Sequence, residues 1–181
     1  MRVLVTGGVR SGKSRHAESM LLPPYRAAGA AVTYLATGPQ RDDADWAARV
    51  AAHQHRRPAT WRTVESTDAA AALRAAGGPV LLDCLGTWLT AQLDALAAWE
   101  APEEEWAAGL EHRVADLESA WRVAPDVVAV TNEVGWGLVS EHRSGRIFAD
   151  RLGWLNQRLA ASADRVDLVV AGQVLTIKGR S

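Results

Sequence analysis

The segment Gly7–Ser14, GGVRSGKS, constrains this chain more than any other feature, because it matches the pattern G-x-x-x-x-G-K-[ST] in full. A β-branched run, Arg2–Thr6, precedes it, and a helix-compatible stretch begins at Lys13. Glycines let the backbone wrap closely around a phosphate, and the N-terminus of a helix favours negative charge. The pattern therefore predicts a nucleotide-phosphate site formed by Gly7, Gly8, Val9, Arg10, Ser11, Gly12, Lys13 and Ser14.

Two side chains of this segment have the chemistry for phosphoryl transfer. The ammonium group of Lys13 can reach the β- and γ-phosphates of a nucleotide, and the hydroxyl of Ser14 can bind Mg²⁺. We therefore expect Lys13 to be catalytic and Ser14 to be a metal ligand.

Short apolar runs alternate with helical patterns along the whole chain. Strands are expected at 2–6, 31–36, 60–64, 80–84, 126–131 and 165–171, followed by a short polar tail. Helices are expected from 13 to about 22, where Pro23 and Pro24 would end the first one, then at 42–55, 67–76, in two segments after residue 84, and at 145–163. This order predicts an α/β fold of the P-loop NTPase-like (RecA-like) class, with a mostly parallel sheet, helices on both faces and a single domain over 1–181.

Two of the expected helices carry one apolar stripe each, because their large hydrophobic residues recur at steps of three and four. The first stripe consists of Trp106, Leu110, Val114, Leu117 and Trp121. The second consists of Phe148, Leu152, Leu155 and Leu159. Both helices are therefore expected to pack on the sheet through these residues.

Asp83 ends an otherwise apolar strand and is the candidate second ligand for Mg²⁺. Acidic residues at the carboxyl ends of buried parallel strands face the ligand crevice of such sheets. The alternative is that Asp83 only caps the helix that begins near Leu85. The neighbouring Cys84 is expected to be a small buried residue.

The bulk composition excludes several classes of partner. A net charge of -1 without a Lys/Arg tract argues against a nucleic-acid partner. No segment is long and apolar enough for a membrane span. Because the chain has a single cysteine and no signal-peptide pattern at its start, we expect a cytoplasmic protein.

The segment 49–65, RVAAHQHRRPATWRTVE, carries a more specific pattern. Together with DCLGTWLT at 83–90, NEVGWGLVSEHR at 132–143 and LNQRLAASAD at 155–164, it resembles the adenosylcobinamide kinase / adenosylcobinamide-phosphate guanylyltransferase family. The resemblance implies phosphorylation of adenosylcobinamide with ATP or GTP, followed by transfer of GMP from GTP through a GMP–histidine intermediate. It also implies a homotrimer.

By this resemblance the nucleophilic histidine is His53. An imidazole nitrogen can attack an α-phosphorus, and Arg49 and Arg57, four residues on either side, would share its face on a continuous helix. From the residue pattern alone, a solvated surface histidine is the commoner alternative, and His55 is the nearest competitor. His16, His112 and His142 are expected to be ordinary surface residues.

The resemblance also implies a GTP site made of Ala36, Thr37, Gly38, Gln54, His55, Arg56, Arg57, Glu65 and Asp83. For Glu65 a plain surface acid is an equal alternative. The loop around Trp136 would shape the corrinoid pocket, although packing explains that tryptophan almost as well. A phosphate-binding loop by itself would also suit another small-molecule kinase or a nucleotide-hydrolysing switch.

Overall fold

The structure is a computed structural model that describes residues 1–27, 31–38 and 58–179. Its strands are β1 (Arg2–Thr6), β2 (Thr33–Ala36), β3 (Arg62–Glu65), β4 (Val80–Asp83), β5 (Val127–Val130), β6 (Arg165–Val170) and β7 (Gln173–Lys178). Its helices are α1 (Lys13–Ala27), α2 (Ala69–Ala75), α3 (Leu85–Ala95), α4 (Glu103–Val123) and α5 (Arg143–Ser162).

The strands form one seven-stranded sheet in the order β3-β2-β4-β5-β1-β6-β7. Every neighbouring pair is parallel except β6 and β7, which are antiparallel. The carboxyl ends of the first six strands therefore meet at the same edge of the sheet. The predicted mostly parallel α/β fold is confirmed, whereas the extent of the domain over 1–181 stays a prediction.

Alternating residues of the strands point to two separate cores. On one face Val3 and Val5 pack with Ala17 and Leu21 of α1. On the other face Leu4 packs in a larger core made by α2 to α5. The first apolar stripe is buried, as predicted, in Trp106, Leu110, Val114, Leu117 and Trp121, and the second is buried in Leu152, Leu155 and Leu159, with Phe148 partly buried.

Two predicted boundaries are wrong. The first helix does not end at Pro23 but continues to Ala27. Each proline removes one helical hydrogen bond, but its fixed φ still suits a helix, so the chain stays helical through both. The predicted polar tail is strand β7 instead. Ala171 and Gly172, with φ of 50° and 77°, form the tight turn that returns the chain along β6.

Within the described ranges, the structure contains no helix with the length and apolarity that a membrane span requires.

Candidate nucleotide site

The glycine-rich loop lies where the sequence predicts it, between β1 and the first turn of α1. Gly12 has a φ of 99° and Arg10 a φ of 57°, in the region that most side chains avoid. At Gly7 an added Cβ would lie 2.4 Å from the carbonyl oxygen of Val169 and 2.7 Å from Ser11 Oγ. Glycine at position 7 is therefore required by the close approach of β6.

Backbone hydrogen bonds from two neighbouring segments fix the loop. The N–H of Glu133 donates to the carbonyl of Gly7 at 3.2 Å, and the N–H of Gly172 donates to the carbonyl of Ser11 at 2.8 Å. The first bond comes from the segment after β5 and the second from the turn between β6 and β7. The loop is thus held on both sides before any ligand binds, which is the preorganisation that phosphate binding needs.

Lys13 folds back over the loop that precedes it. Its Nζ donates to the carbonyl oxygen of Gly8 at 3.0 Å. Burial lowers the pKa of Lys13, and the nearby Cys84 and Asp83 side chains partly oppose this shift. A phosphate oxygen is a stronger acceptor than a carbonyl oxygen. The ammonium group can therefore give up its hydrogen bond to Gly8 and donate to a phosphate oxygen of a bound nucleotide instead.

Asp83 stands at the carboxyl end of β4, two strands from β1. Tyr34 on β2 donates its hydroxyl to Asp83 Oδ2 at 3.1 Å, which orients the carboxylate. The N-cap of α3 is Cys84, whose backbone N–H and side chain both contact Thr87. Asp83 therefore does not serve as the helix cap, so the capping alternative is wrong. The metal role of Asp83 stays a prediction.

Burial raises the pKa of the Cys84 thiol, and the nearby charge of Asp83 adds to the effect. Both contributions disfavour a thiolate. Cys84 is only partly buried, so the expectation of a small buried residue is confirmed only in part.

Two of the predicted nucleotide-binding residues, Ala36 and Glu65, end β2 and β3, and two more, Thr37 and Gly38, follow β2. Ala36 pairs in register with both Asp83 and Glu65. Thr37 is fully buried, and its hydroxyl donates to the Cys84 carbonyl at 2.7 Å. Its side chain thus joins β2 to the start of α3. Glu65 is exposed at the outermost strand.

Five of the predicted site residues lie outside the described part of the chain: His53, Gln54, His55, Arg56 and Arg57. Arg49, the expected companion of His53, lies there as well. Their roles stay predictions.

His16 is not the ordinary surface residue that the sequence suggested. Its Nε2 lies 2.7 Å from Oδ2 of Asp167, which is fully buried in β6. Arg165 Nε and the Thr176 hydroxyl also donate to this carboxylate. Burial alone would raise the pKa of Asp167, but the hydrogen bonds from Arg165, His16 and Thr176 outweigh it and lower the pKa. An aspartate inside the apolar run RVDLVV is the signal that could have revealed this network.

The prediction for the other histidines fits the structure, since His112 and His142 are exposed. Trp136 is 71% exposed, so packing within the described residues does not explain it. Its neighbours Leu138 and Val139 are even more exposed. The loop after β5 therefore exposes several apolar side chains, and its part in a corrinoid pocket stays a prediction.

Comparison with known proteins identifies the site's context. The model of the family described as cobinamide kinase / cobinamide phosphate guanyltransferase (CobU) matches residues 3–177. This chain belongs to that family. The predicted resemblance is thereby confirmed, and members of the CobU family are bifunctional transferases that act in cobalamin biosynthesis.

Two curated relatives of the CobU family cover nearly the whole chain. The bifunctional adenosylcobalamin biosynthesis protein CobU of Salmonella typhimurium is 43% identical over 188 residues, covering 98% of this chain and 100% of the relative. The bifunctional adenosylcobalamin biosynthesis protein CobP of Pseudomonas aeruginosa is 40% identical, covering 99% and 98%. Among solved structures, the KaiC-like protein PH0186 of Pyrococcus horikoshii has a TM-score of 0.51 at 15% identity, covering 99% of this chain and 79% of its own. This last likeness concerns the P-loop NTPase-like fold alone.

Proposed function

We propose that this CobU-family enzyme phosphorylates the hydroxyl of the aminopropanol arm of adenosylcobinamide with ATP or GTP, and then transfers GMP from GTP to the new phosphate. The proposal rests on the loop Gly7–Ser14, which hydrogen bonds from Glu133 and Gly172 hold in place and over which Lys13 folds back. This loop lies at the same edge of the sheet as Asp83. The products are adenosyl-GDP-cobinamide and pyrophosphate.

In the phosphorylation step the loop Gly7–Ser14 cradles the triphosphate with its backbone N–H groups. Lys13 exchanges the Gly8 carbonyl for phosphate oxygens and stabilises the charge that develops during transfer. Its lowered pKa reflects burial, which also strengthens its interaction with an anion.

The residues present fit a magnesium ion. Ser14 offers a hydroxyl at the start of α1, and Asp83 offers a carboxylate at the end of β4, close enough to influence Lys13. One hydroxyl and one carboxylate, with phosphate oxygens and waters, form the oxygen-rich set that Mg²⁺ prefers. When bound, this ion would neutralise charge on the β- and γ-phosphates.

In the guanylyl transfer step His53 is the nucleophile. A bond forms between an imidazole nitrogen and the α-phosphorus of GTP, and pyrophosphate leaves with the electron pair of the broken bond. The phosphate of adenosylcobinamide phosphate then attacks the same phosphorus and releases the histidine. Arg49 and Arg57 are proposed to hold phosphate oxygens. The wider GTP site is proposed to comprise Ala36, Thr37, Gly38, Gln54, His55, Arg56, Arg57, Glu65 and Asp83.

We further propose a cytoplasmic homotrimer. Strand β7 is an edge of the described sheet and exposes several apolar side chains, among them Val174, Leu175 and Ile177. A surface of this kind supports association with further copies of the chain.

The test is covalent labelling by GTP that carries its label on the α-phosphate. The purified protein is incubated with this GTP and Mg²⁺, denatured, and examined for protein-bound label beside the variants His53→Ala and His55→Ala. We expect acid-labile, alkali-stable label in the wild type and in His55→Ala and none in His53→Ala. Label that survives in His53→Ala but disappears in His55→Ala would show that His55 is the nucleophile. An unlabelled wild type that still binds GTP would leave only a kinase or a nucleotide-hydrolysing switch.

A further inference from the structure

Glu133 lies directly beside the phosphate-binding loop, although no role has been assigned to it so far. Its backbone N–H donates to the carbonyl of Gly7 at 3.2 Å. Its carboxylate Oε1 accepts the hydroxyl of Thr6, the last residue of β1, at 2.7 Å. Thr6 is itself buried. Both the main chain and the side chain of Glu133 are therefore fixed relative to the first glycine of the loop.

The second oxygen of this carboxylate is left without a hydrogen bond among the residues that the structure describes. Within the same ranges Glu133 has no ion pair, and its residue is only partly buried. A carboxylate at this position repels the phosphates that the loop is built to hold. The hydrogen bond from Thr6 does not require a negative charge at position 133, because the neutral amide oxygen of a glutamine would accept the Thr6 hydroxyl equally well.

Position in the sheet separates Glu133 from the other acids at this edge. It follows β5, which is the immediate neighbour of β1, whereas Asp83 ends β4 and Glu65 ends β3. With strands spaced about 4.8 Å apart, Glu65 lies roughly 19 Å from β1 across the sheet. Asp83 is closer to the loop, but its carboxylate is already assigned to Mg²⁺ in the proposed function. Glu133 is the remaining acid of these three and the one nearest the loop.

The two proposed reactions differ in their need for a base. In phosphorylation the attacking group is an alcohol, whose proton must leave as the new bond to phosphorus forms. In guanylyl transfer the attacking groups are an imidazole lone pair and then a phosphate oxygen that is already ionised near neutral pH. Only the kinase reaction therefore calls for a carboxylate that accepts a proton from a hydroxyl.

We propose that Glu133 is the general base of the kinase reaction and has no part in guanylyl transfer. The hydroxyl oxygen of the corrinoid forms a bond to the γ-phosphorus, and its proton passes to the free oxygen of Glu133. The bond from the γ-phosphorus to the bridging oxygen breaks, and the nucleoside diphosphate leaves with the electron pair. Thr6 is a positioning residue that holds the other oxygen. The inference rests on the proposed function, in which a hydroxyl of adenosylcobinamide is the acceptor.

The experiment measures both reactions separately in Glu133→Gln. Kinase turnover is assayed with adenosylcobinamide and ATP, and guanylyl transfer is assayed with supplied adenosylcobinamide phosphate and GTP. We expect kinase kcat to fall by about 100-fold or more, the usual contribution of a general base. Guanylyl transfer should stay within about two-fold, because its transition state does not involve this carboxylate. Glu104→Gln, which removes an exposed carboxylate at the start of α4, is the matched control and should leave both rates unchanged.

The variant Thr6→Val gives a second, independent arm that keeps the carboxylate and nearly the same side-chain shape. It removes only the hydroxyl that orients Glu133, so kinase kcat should fall by roughly ten-fold while guanylyl transfer is retained. This arm decides the matter if Glu133→Gln does not fold.

Two results would overturn the inference. Equal losses in both reactions, together with a higher Mg²⁺ requirement, would make Glu133 a residue for nucleotide or metal binding. Kinase turnover at the wild-type level in Glu133→Gln would show that the carboxylate is not the base. A wild-type protein that catalyses neither reaction would instead refute the proposed function, so the two failures are distinguishable.

Discussion

The phosphate-binding loop and the large helical face of the sheet are stabilised in opposite ways. The loop depends on a few backbone positions, such as Gly7 against Val169 and the hydrogen bond from Glu133. The helical face depends on many apolar side chains, including Trp106 and Leu110, that share one large core. Substitutions in the loop are therefore expected to remove activity, whereas substitutions in the core are expected to reduce stability and leave the site chemistry intact.

The face under α1 combines both kinds of interaction. It has a smaller apolar core, yet His16 reaches from the nucleotide-binding helix to the buried Asp167 of β6. Because an ionised carboxylate only accepts hydrogen bonds, His16 Nε2 is the donor. Helix α1 is thus attached to the sheet by a polar contact as well as by packing.

The largest effect is expected from Gly7→Ala. A Cβ at this position would lie 2.4 Å from a backbone oxygen that cannot move without shifting β6. We expect both transferase activities to fall by more than about 100-fold, as displacements of about 1 Å can do, with a lower unfolding temperature. In the control Gly8→Ala the added Cβ meets nothing within 4 Å, so its unfolding temperature should equal that of the wild type. Wild-type activity in Gly7→Ala would contradict this account of the loop.

The second effect concerns the helical face, in the variant Leu110→Ala. Leu110 is buried in the large core, so its truncation should lower the free energy of unfolding by about 2–5 kcal/mol. Both activities, measured per folded molecule below the unfolding transition, should be retained. Denaturant titration measures the loss, and the fully exposed Leu138→Ala should change stability by less than about 0.5 kcal/mol. If Leu110→Ala removed activity at full stability, the division between loop and core would be wrong.

The smallest effects compare two aspartates. Replacing the buried Asp167 by Asn removes the charge that Arg165 and His16 contact, and we expect a loss of about 1–3 kcal/mol at neutral pH. The exposed Asp164→Asn should cost less than about 1 kcal/mol, since solvent screens its pair with Arg2.

Acid titration separates these aspartates further. The folded-state pKa of each lies below its unfolded value, and that of Asp164 is lowered to about 2 by hydrogen bonds from Arg2. Each carboxylate therefore stabilises the fold above the unfolded pKa of about 3.9, and this contribution is lost as the pH falls through the folded pKa. Unfolding measured between neutral pH and pH 2 should be less acid-sensitive in both variants than in the wild type. An unchanged acid profile in Asp167→Asn would exclude a stabilising role for the network.

The predictions from sequence succeeded where a local pattern has one physical explanation. The spacing of glycines and Lys13 fixes a phosphate-binding loop, and the three-and-four spacing of Trp106 to Trp121 fixes a buried helix face. The position of Asp83 at the carboxyl end of a buried strand was also predicted correctly, whereas its metal role stays a prediction. These features require no knowledge of distant contacts.

The features that were missed depend on tertiary contacts. His16 and Asp167 are 151 residues apart and meet only because α1 packs against β6. Strand β7 follows an Ala-Gly turn that lacks the usual Asn-Gly signal. Glu133 obeys the same rule as Asp83, but it comes three residues after its strand, so the pattern placed it in a loop. His53 was identified only by family resemblance and stays a prediction.

The most direct test of the division between function and stability is Lys13→Met, with kinase kcat and the free energy of unfolding measured on the same preparation. Lys13 carries a positive charge whose burial lowers its pKa, so replacing it with an apolar side chain removes a desolvation penalty. The account predicts turnover below about 1% of the wild type, because charge stabilisation of the transferred phosphoryl group is lost, with stability equal to or above the wild type. Retained turnover, or a stability loss as large as that of Leu110→Ala, would contradict it.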